Sequence, residues 1–201
     1  MPWHTEILQS EYSDDTASAI VSLEHYLLLE KKVFAEMEQR IYAQSATGPA
    51  EALESYSTGS LADPDQRKPN WNRTFELGND APKAGVLLLH GMSDSPYSLR
   101  ALGETLQRRG YTALGLRMPG HGTLPSGLLD LQWRDMSAVV KLGMQHLAQR
   151  LPDKPLYIVG YSTGAALALD YALDSSQGNS LPPVSRLVMI SPAIGVSPAA
   201  A

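Results

Sequence analysis

Short apolar runs alternate with amphipathic segments through the second half of the chain. Four runs are apolar enough to be buried strands, at residues 85–90, 111–118, 155–161 and 186–190. Between them, apolar residues recur every three or four positions over residues 96–110, 130–151 and 163–175, which is the spacing of a helix. A further short candidate strand at 72–77 places Phe75 and Leu77 in alternation with charge. This order predicts an α/β protein with a mostly parallel sheet and helices on both faces.

The first stretch of the chain, to about Gln44, also has helical spacing. One apolar residue recurs every seven positions, at Ile20, Leu27, Phe34 and Ile41, while Leu23 and Met37 form a second seam that Glu30 interrupts. Two interpretations are open. The helix packs on its own domain, or it forms a homodimer or coiled-coil contact with a second copy.

Residues 46–70 are rich in Gly, Pro, Ser and Asp, which is typical of a loop or linker. One short helix is possible within them, at residues 51–56. We therefore expect three parts: an N-terminal helical extension over residues 1–45, a linker over 46–70, and an α/β core over 71–201.

Composition removes several classes of function. The 201 residues include no cysteine, which excludes a disulfide framework, a thiol nucleophile and a cysteine-ligated metal. The net charge of −5 comes from 16 basic and 21 acidic residues. This charge argues against electrostatic binding of nucleic acid or anionic lipid. No apolar run approaches the roughly 18 residues of a membrane span, and residues 1–6 lack the pattern of a signal peptide. We expect no metal, no cofactor, no nucleic-acid partner, no integral membrane segment, and a cytoplasmic location by default.

The third strong apolar run ends in Gly160-Tyr161-Ser162-Thr163-Gly164 and leads directly into a predicted helix. The pattern G-x-S-x-G between a strand and a helix is a nucleophile elbow, a strained turn that projects the serine hydroxyl. Glycine fits two residues before and two residues after the serine, because these positions approach each other and the neighbouring strand. The alternative interpretation is that Ser162 merely caps the helix.

Two other strand ends carry candidate groups. His90, Gly91 and Met92 follow the first strand, where an early loop supplies one N–H of an oxyanion hole, and the residue after the nucleophile supplies the other. We therefore expect the backbone N–H groups of Met92 and Thr163 to be the donors. The second strand ends in a tight turn with His121, which lies near the site or hydrogen-bonds its own loop.

Together these segments resemble the α/β-hydrolase superfamily, and within it the serine hydrolases related to monoacylglycerol lipases and carboxylesterases. The resemblance covers about residues 71–192. It implies that Ser162 is the nucleophile, that Met92 and Thr163 form the oxyanion hole, and that His90 shapes the loop beside that hole. Supporting positions in the same loops are Gly91, Gly160, Gly164 and His121.

The chain departs from that family in one respect. The family order is serine, then aspartate or glutamate, then histidine, but no histidine follows Ser162. Asp170 and Asp174 lie on the helix after the elbow and should face away from the serine. We therefore expect the N-terminal part of a longer hydrolase, ending before the cap, the acid and the histidine. An alternative is that His90 or His121 serves as the base.

Three classes of function stay open. The first is a serine hydrolase of carboxylic esters or acylglycerol-like lipids, which forms an acyl-enzyme on Ser162. The second is an acyltransferase or peptidase on the same scaffold, since one fold hosts many chemistries. The third is a catalytically incomplete interaction module that makes contacts through its N-terminal helix.

Overall fold

A five-stranded sheet organises the molecule in the computed structural model, which describes residues 2–66 and 68–195. The strands are β1 (Phe75–Leu77), β2 (Gly85–Leu89), β3 (Thr112–Leu116), β4 (Leu156–Tyr161) and β5 (Arg186–Ile190). Their order across the sheet is β1-β3-β2-β4-β5. Only β1 runs antiparallel to its neighbour within this sheet. The predicted α/β class and mostly parallel sheet are confirmed, with β1 shorter than expected.

Helices cover both faces of the sheet. They are α1 (Pro2–Thr5), α2 (Asp14–Ala17), α3 (Leu23–Arg40), α4 (Arg100–Arg108), α5 (Trp133–Arg150) and α6 (Thr163–Ser176). Because side chains alternate along a strand, Val86 and Leu88 of β2 pack on the α4 side, whereas Leu87 and Leu89 join the core under α5 and α6. In the described part of the chain, no helix is long and apolar enough to cross a bilayer.

The N-terminal stretch differs from the single helix predicted for it. Two four-residue helices, α1 and α2, precede α3, and α3 ends at Arg40 rather than near Gln44. The buried face of α3 includes Phe34 of the expected main seam together with Leu23 and Met37 of the second. Ile41, also of the main seam, is buried just after the helix, whereas Leu27 is 36% exposed. Both seams therefore contribute to the packing of α3 on its own domain, where a stripe with a period of 3.6 residues is buried.

Helix α3 is part of the main core of the molecule. Leu23, Tyr26 and Leu29 pack in the same apolar cluster as Met136 of α5. The Tyr26 hydroxyl donates to the Arg117 carbonyl, 2.9 Å away, just beyond β3. The contacts are those of a helix on its own domain, and the homodimer stays a prediction.

Residues 46–66 and 68–70 contact the rest of the domain. The short helix expected at 51–56 is absent, and single 3₁₀ turns occur at Pro49–Glu51 and Pro64–Gln66. Tyr56 donates to the Thr123 carbonyl at 3.0 Å, and Ser57 and Asp63 are buried. We keep the division into 1–45, 46–70 and 71–201 as a proposal about domain organisation.

Candidate active site

Ser162 occupies a strained turn between β4 and α6. Its backbone has φ 54° and ψ −115°, a positive φ that non-glycine residues rarely adopt. The residue is half-buried, so reagents can reach it. Among the described residues, no side chain or backbone group hydrogen-bonds to Ser162 Oγ. This strain is the geometry that the G-x-S-x-G pattern predicts.

The two glycines of the motif stand where no side chain fits. A Cβ atom on Gly160 would lie 2.4 Å from the Gly164 carbonyl oxygen, and one on Gly164 would lie 2.2 Å from the carbonyl oxygen of Leu89. All of these obstacles are backbone atoms, which have little room to move. The turn therefore requires glycine at both positions, because α6 starts directly against β2 and β4.

The loop after β2 lies beside the serine. Leu89 is paired with Gly160 in the sheet register, which brings the two strand ends level. A Cβ on Gly91 would lie 3.1 Å from the Tyr161 ring and 3.3 Å from Ser162 Cβ, so a larger residue would require these side chains to move by a few tenths of an ångström. Thr163 opens α6, where an N–H has no helical carbonyl to bond. The Met92 N–H has no backbone partner among the described residues.

The end of β5 holds the backbone of the elbow. The Ser162 N–H donates to the Ile190 carbonyl at 2.9 Å, and the Ser162 carbonyl accepts from the Ala193 N–H at 3.2 Å. Ser191, between them, also has a positive φ of 45°. No motif in the sequence signals these bonds, since they depend on the register of β5 against β4.

His90 uses both ring nitrogens within the fold. Nδ1 lies 2.9 Å from the Gly91 carbonyl, and Nε2 accepts from the Met118 N–H at 3.1 Å. A carbonyl accepts only, so Nδ1 carries the hydrogen and the ring is neutral. Burial and the nearby His121 lower the pKa of His90 to about 3. The ring ties the loop after β2 to that after β3, and no nitrogen is left to take a proton from Ser162.

His121 lies next to His90, with ring centroids 5.0 Å apart. Its Nδ1 is 2.8 Å from the Pro119 carbonyl, which assigns the hydrogen to Nδ1 and leaves Nε2 as an acceptor. Burial lowers the pKa of His121. The ring makes no hydrogen bond to Ser162 in the described part of the chain.

Neither aspartate of α6 takes part in the site. Asp170 accepts from the Ser137 hydroxyl at 3.2 Å, and Asp174 forms an ion pair with Lys141 at 2.8 Å. Both partners belong to α5, on the outside of the sheet. No group of three or more potential metal ligands occurs within residues 2–66 and 68–195.

Comparison with known proteins identifies the family. A family model described as serine aminopeptidase, S33, matches residues 80–201, which include the whole elbow and the loop after β2. The chain belongs to this family. The S33 match and the fold place it among the α/β-hydrolases, as its resemblance in sequence implied.

Relatives of this S33 chain include proteins with different names. A thermostable monoacylglycerol lipase of Bacillus sp. (strain H-257) is 36% identical over 85 residues, covering 42% of this chain and 33% of the relative. The magnesium-chelatase 30 kDa subunit of Rhodobacter capsulatus is 33% identical over 109 residues, covering 54% and 34%. A solved structure from a study of the metagenome-derived lipolytic enzymes LipS and LipT has a TM-score of 0.56 and 28% identity, and the match covers 64% of this chain and 49% of that one. The matched part of this chain thus spans about a third of the length of these curated relatives and about half of the length of that solved structure.

The structure contains a buried ion-pair cluster beneath the site, which the sequence did not predict. Arg117, fully buried after β3, makes two bonds to Glu11 at 2.9 and 3.0 Å and one to Glu30 at 3.2 Å. It also donates to the His121 carbonyl at 3.0 Å. Burial opposes the charge, but the two carboxylates raise the pKa of Arg117 above its ordinary value. In the sequence, this cluster is indicated by Glu30 alone, a charged residue that interrupts an apolar seam.

Proposed function

We propose that the protein is a serine hydrolase that cleaves carboxylic esters or acylglycerol-like substrates through an acyl-enzyme on Ser162. One observation carries the proposal: Ser162 has a positive φ in a turn that admits only glycine two residues before it and two residues after it, and its hydroxyl has no partner among the described residues. A strained backbone persists only where the surrounding structure enforces it, as the two glycine positions do here, and such strain supports a functional role. The Bacillus relative, named a monoacylglycerol lipase, supports the substrate class.

In the proposed reaction, Ser162 Oγ attacks the carbonyl carbon of the ester and its proton passes to a general base. The oxygen that gains charge accepts hydrogen bonds from the N–H groups of Met92 and Thr163, and each such donor is worth about 10²–10³ in rate. The bond to the leaving alcohol breaks as the alcohol takes the proton. Water then attacks the acyl-enzyme, which releases a carboxylic acid and restores the serine.

The general base in this proposal is not one of the five histidines in the sequence. His90 uses both nitrogens, and His146 lies 2.8 Å from Glu76. His121 keeps Nε2 as an acceptor but makes no hydrogen bond to Ser162 in the described part of the chain. His4 and His25 are exposed residues of the N-terminal segment. We therefore propose that the base and its acid come from residues outside these 201, in keeping with the order serine, acid, histidine. Alone, the 201 residues should react slowly.

The test is fluorophosphonate labelling followed by intact mass, with added imidazole as an external base. We expect one adduct per chain, absent in Ser162→Ala. Ser176→Ala is the matched control, because Ser176 is an exposed serine at the opposite end of α6 from Ser162. That variant should label like the parent.

An adduct that survives in Ser162→Ala would place the reactive group elsewhere and refute the assignment. No adduct in a folded chain, even with imidazole at high concentration, would show that the turn does not activate acyl or phosphonyl transfer. Labelling that is fast without imidazole and slow in His121→Ala would overturn only the proposed source of the base.

A further inference from the structure

A cavity of about 530 Å³ lies between the N-terminal segment and the loops that follow β2 and β3. Its size falls in the range of small-molecule sites, roughly 300–1,000 Å³. The residues proposed for ester cleavage, Ser162, Met92 and Thr163, are not among the described residues that line it. The cavity is therefore a feature that the proposed reaction does not use.

One buried side chain of the cavity wall has an open hydrogen-bond acceptor. His121 is 2% exposed, and its Nδ1–H donates to the Pro119 carbonyl, which leaves Nε2 with a lone pair. In the described part of the chain Nε2 has no hydrogen-bond partner, yet it is not one of the fully buried atoms that lack one. Because His121 lines the cavity, this nitrogen opens onto it and can accept a hydrogen bond from a ligand.

Asp94 adds a carboxylate to the same wall. It is half-buried, and its Oδ1 accepts from the Ser95 N–H at 2.7 Å, whereas Oδ2 has no partner among the described residues. The loop of His121 packs on this segment, since a Cβ on Gly122 would lie 3.4 Å from Ser95 Cβ. Burial lowers the pKa of His121, and the nearby Asp94 charge opposes that lowering only in part. The neutral ring and the carboxylate therefore both act as acceptors.

The charges around the cavity favour a cation. Asp63 is buried and also lines the cavity, and none of the described lining residues is a lysine or an arginine. Within residues 2–66 and 68–195, no ion pair joins Asp63 or Asp94 to a lysine or an arginine. Carboxylates that are withdrawn from water are usually paired. The cavity should therefore attract a positively charged ligand and repel an anion.

Aromatic rings complete the wall. Five aromatic residues line the cavity: Phe34, Tyr42, Tyr56, Trp71 and Tyr97. Aromatic faces attract cations, and two of these rings do so within the protein. The guanidinium of Arg73 lies 4.2 Å from the centroid of Phe34, and that of Arg100 lies 4.8 Å from the centroid of Tyr97. The wall thus suits an organic cation, whose apolar part can pack on the remaining rings.

Trp71 lies on a segment that meets the loop bearing His121. Asn72 follows Trp71, and a Cβ on Gly122 would lie 2.6 Å from the Asn72 carbonyl oxygen. Because Gly122 also packs on the segment of Asp94, three segments converge at this end of the cavity. They bring one aromatic ring, one carboxylate and one neutral imidazole to the same wall.

We propose that this end of the cavity binds a small organic ammonium ion, whose N–H groups donate to Asp94 and to Nε2 of His121 and whose apolar part packs on the aromatic rings. Because no group of three or more potential metal ligands occurs in the described part of the chain, an organic cation fits better than a metal ion. The site shares no residue with the proposed nucleophile and its two N–H donors. The inference is therefore independent of the proposed function.

The test is ¹⁹F NMR at pH 7 of the full chain labelled with 5-fluorotryptophan. Trp71 lines the cavity, and Trp133, at the start of α5, is an internal control. The probes are benzylamine, benzyl alcohol and benzoate, which share one ring and are a cation, a neutral molecule and an anion at this pH. We expect benzylamine to shift the Trp71 resonance saturably and to leave Trp133 unmoved. Benzyl alcohol should bind at least about tenfold more weakly, and benzoate more weakly still.

The matched variants are Asp94→Asn and Asp153→Asn. Asp94→Asn removes the charge and keeps an oxygen for the Ser95 N–H, so the fold should tolerate it. It should weaken benzylamine about tenfold and leave benzyl alcohol unchanged. Asp153 is exposed in the turn between α5 and β4, away from the cavity lining. Its variant makes the same chemical change and should bind all three probes like the parent.

A second variant addresses the imidazole. His121→Asn keeps an amide donor near the position of Nδ1, for the Pro119 carbonyl, and removes Nε2. It should weaken benzylamine about three- to tenfold, as expected for one lost hydrogen bond. Near-UV circular dichroism checks its fold, and if that fold is lost, the parent and Asp94→Asn still decide the question.

Equal affinity for benzylamine and benzyl alcohol, or equal shifts at Trp71 and Trp133, would overturn the inference. So would an affinity for benzylamine that Asp94→Asn leaves unchanged. Labelling of Ser162 plays no part in this test. Binding of benzylamine without labelling would refute the proposed function alone, and labelling without binding would refute the ammonium site alone.

Discussion

Replacing Arg117 with methionine should destabilise the protein far more than the same change at Arg40. Both arginines pair with two glutamates: Arg117 with Glu11 and Glu30, and Arg40 with Glu6 and Glu36. They differ in burial, because the Arg117 side chain is 0% exposed and the Arg40 side chain 39% exposed. The pair of variants therefore isolates the effect of burial on an ion-pair cluster.

The magnitudes follow from that difference. Removing one partner of a buried pair leaves uncompensated charge in the interior and costs about 3–5 kcal/mol. An exposed pair is worth at most about 1 kcal/mol. For a chain of this length, each kcal/mol shifts Tm by about 2–4 °C. We expect Arg117→Met to lower Tm by about 6–20 °C and Arg40→Met by no more than about 4 °C.

The assay is thermal unfolding at pH 7, followed by circular dichroism, with urea unfolding as a second measure. If the two variants lose similar stability, the buried cluster does not act as an ion pair and the reasoning fails. Adding Glu11→Gln and Glu30→Gln to the Arg117 variant removes the stranded charges and should recover over half of the loss. A triple variant no more stable than the single one would contradict the electrostatic account.

Three further predictions follow from other parts of the structure. Gly164→Ala should cost about 1–3 kcal/mol or more in urea unfolding, because its Cβ meets backbone, whereas Gly195→Ala, with open space around it, should be neutral. Leu23→Ala should cost about 2–5 kcal/mol and Leu27→Ala about 0.5 kcal/mol or less, and the reverse order would contradict the observed packing face of α3. Because the lowered pKa of His90 keeps the folded ring neutral, the unfolded state gains protons as pH falls below 6.5 toward 3. Stability should fall there by up to about 1.4 kcal/mol per pH unit, and less steeply in His90→Gln, as urea unfolding at pH 7, 6 and 5 would reveal.

The strands and the elbow could be predicted from the sequence because both depend on short-range patterns. A buried parallel strand is a continuous apolar run, and its period and length show without knowledge of its partners. The elbow needs two glycines at fixed offsets from Ser162, since the clashes at Gly160 and Gly164 arise from backbone within a few residues and from the adjacent strand. Local geometry and chemistry coincide there, so a five-residue motif is informative.

The packing face of α3 is harder to predict, because it combines residues of two apolar stripes. Phe34 comes from the stripe through Leu27 and Met37 from the other, and Glu30 is buried with them. A carboxylate counts against burial when only the sequence is known, since an unpaired buried charge is costly. Its partner, Arg117, lies 87 residues further along the chain, and no local pattern connects them.

The same long-range pairing connects an N-terminal segment outside the S33 match to the loops near Ser162. Glu11 and Glu30 come from that segment, and they fix an arginine that holds the His121 carbonyl. The loop carrying His121 also provides the Met118 N–H, which donates to His90, the residue before Gly91 in the loop beside Ser162. Each link is a hydrogen bond between buried groups, and breaking one leaves a polar group unpaired in the interior. The position of the loop beside Ser162 therefore depends on residues more than 60 positions away in the sequence, which is why a short motif predicts the turn at Ser162 and only the fold reveals what surrounds it.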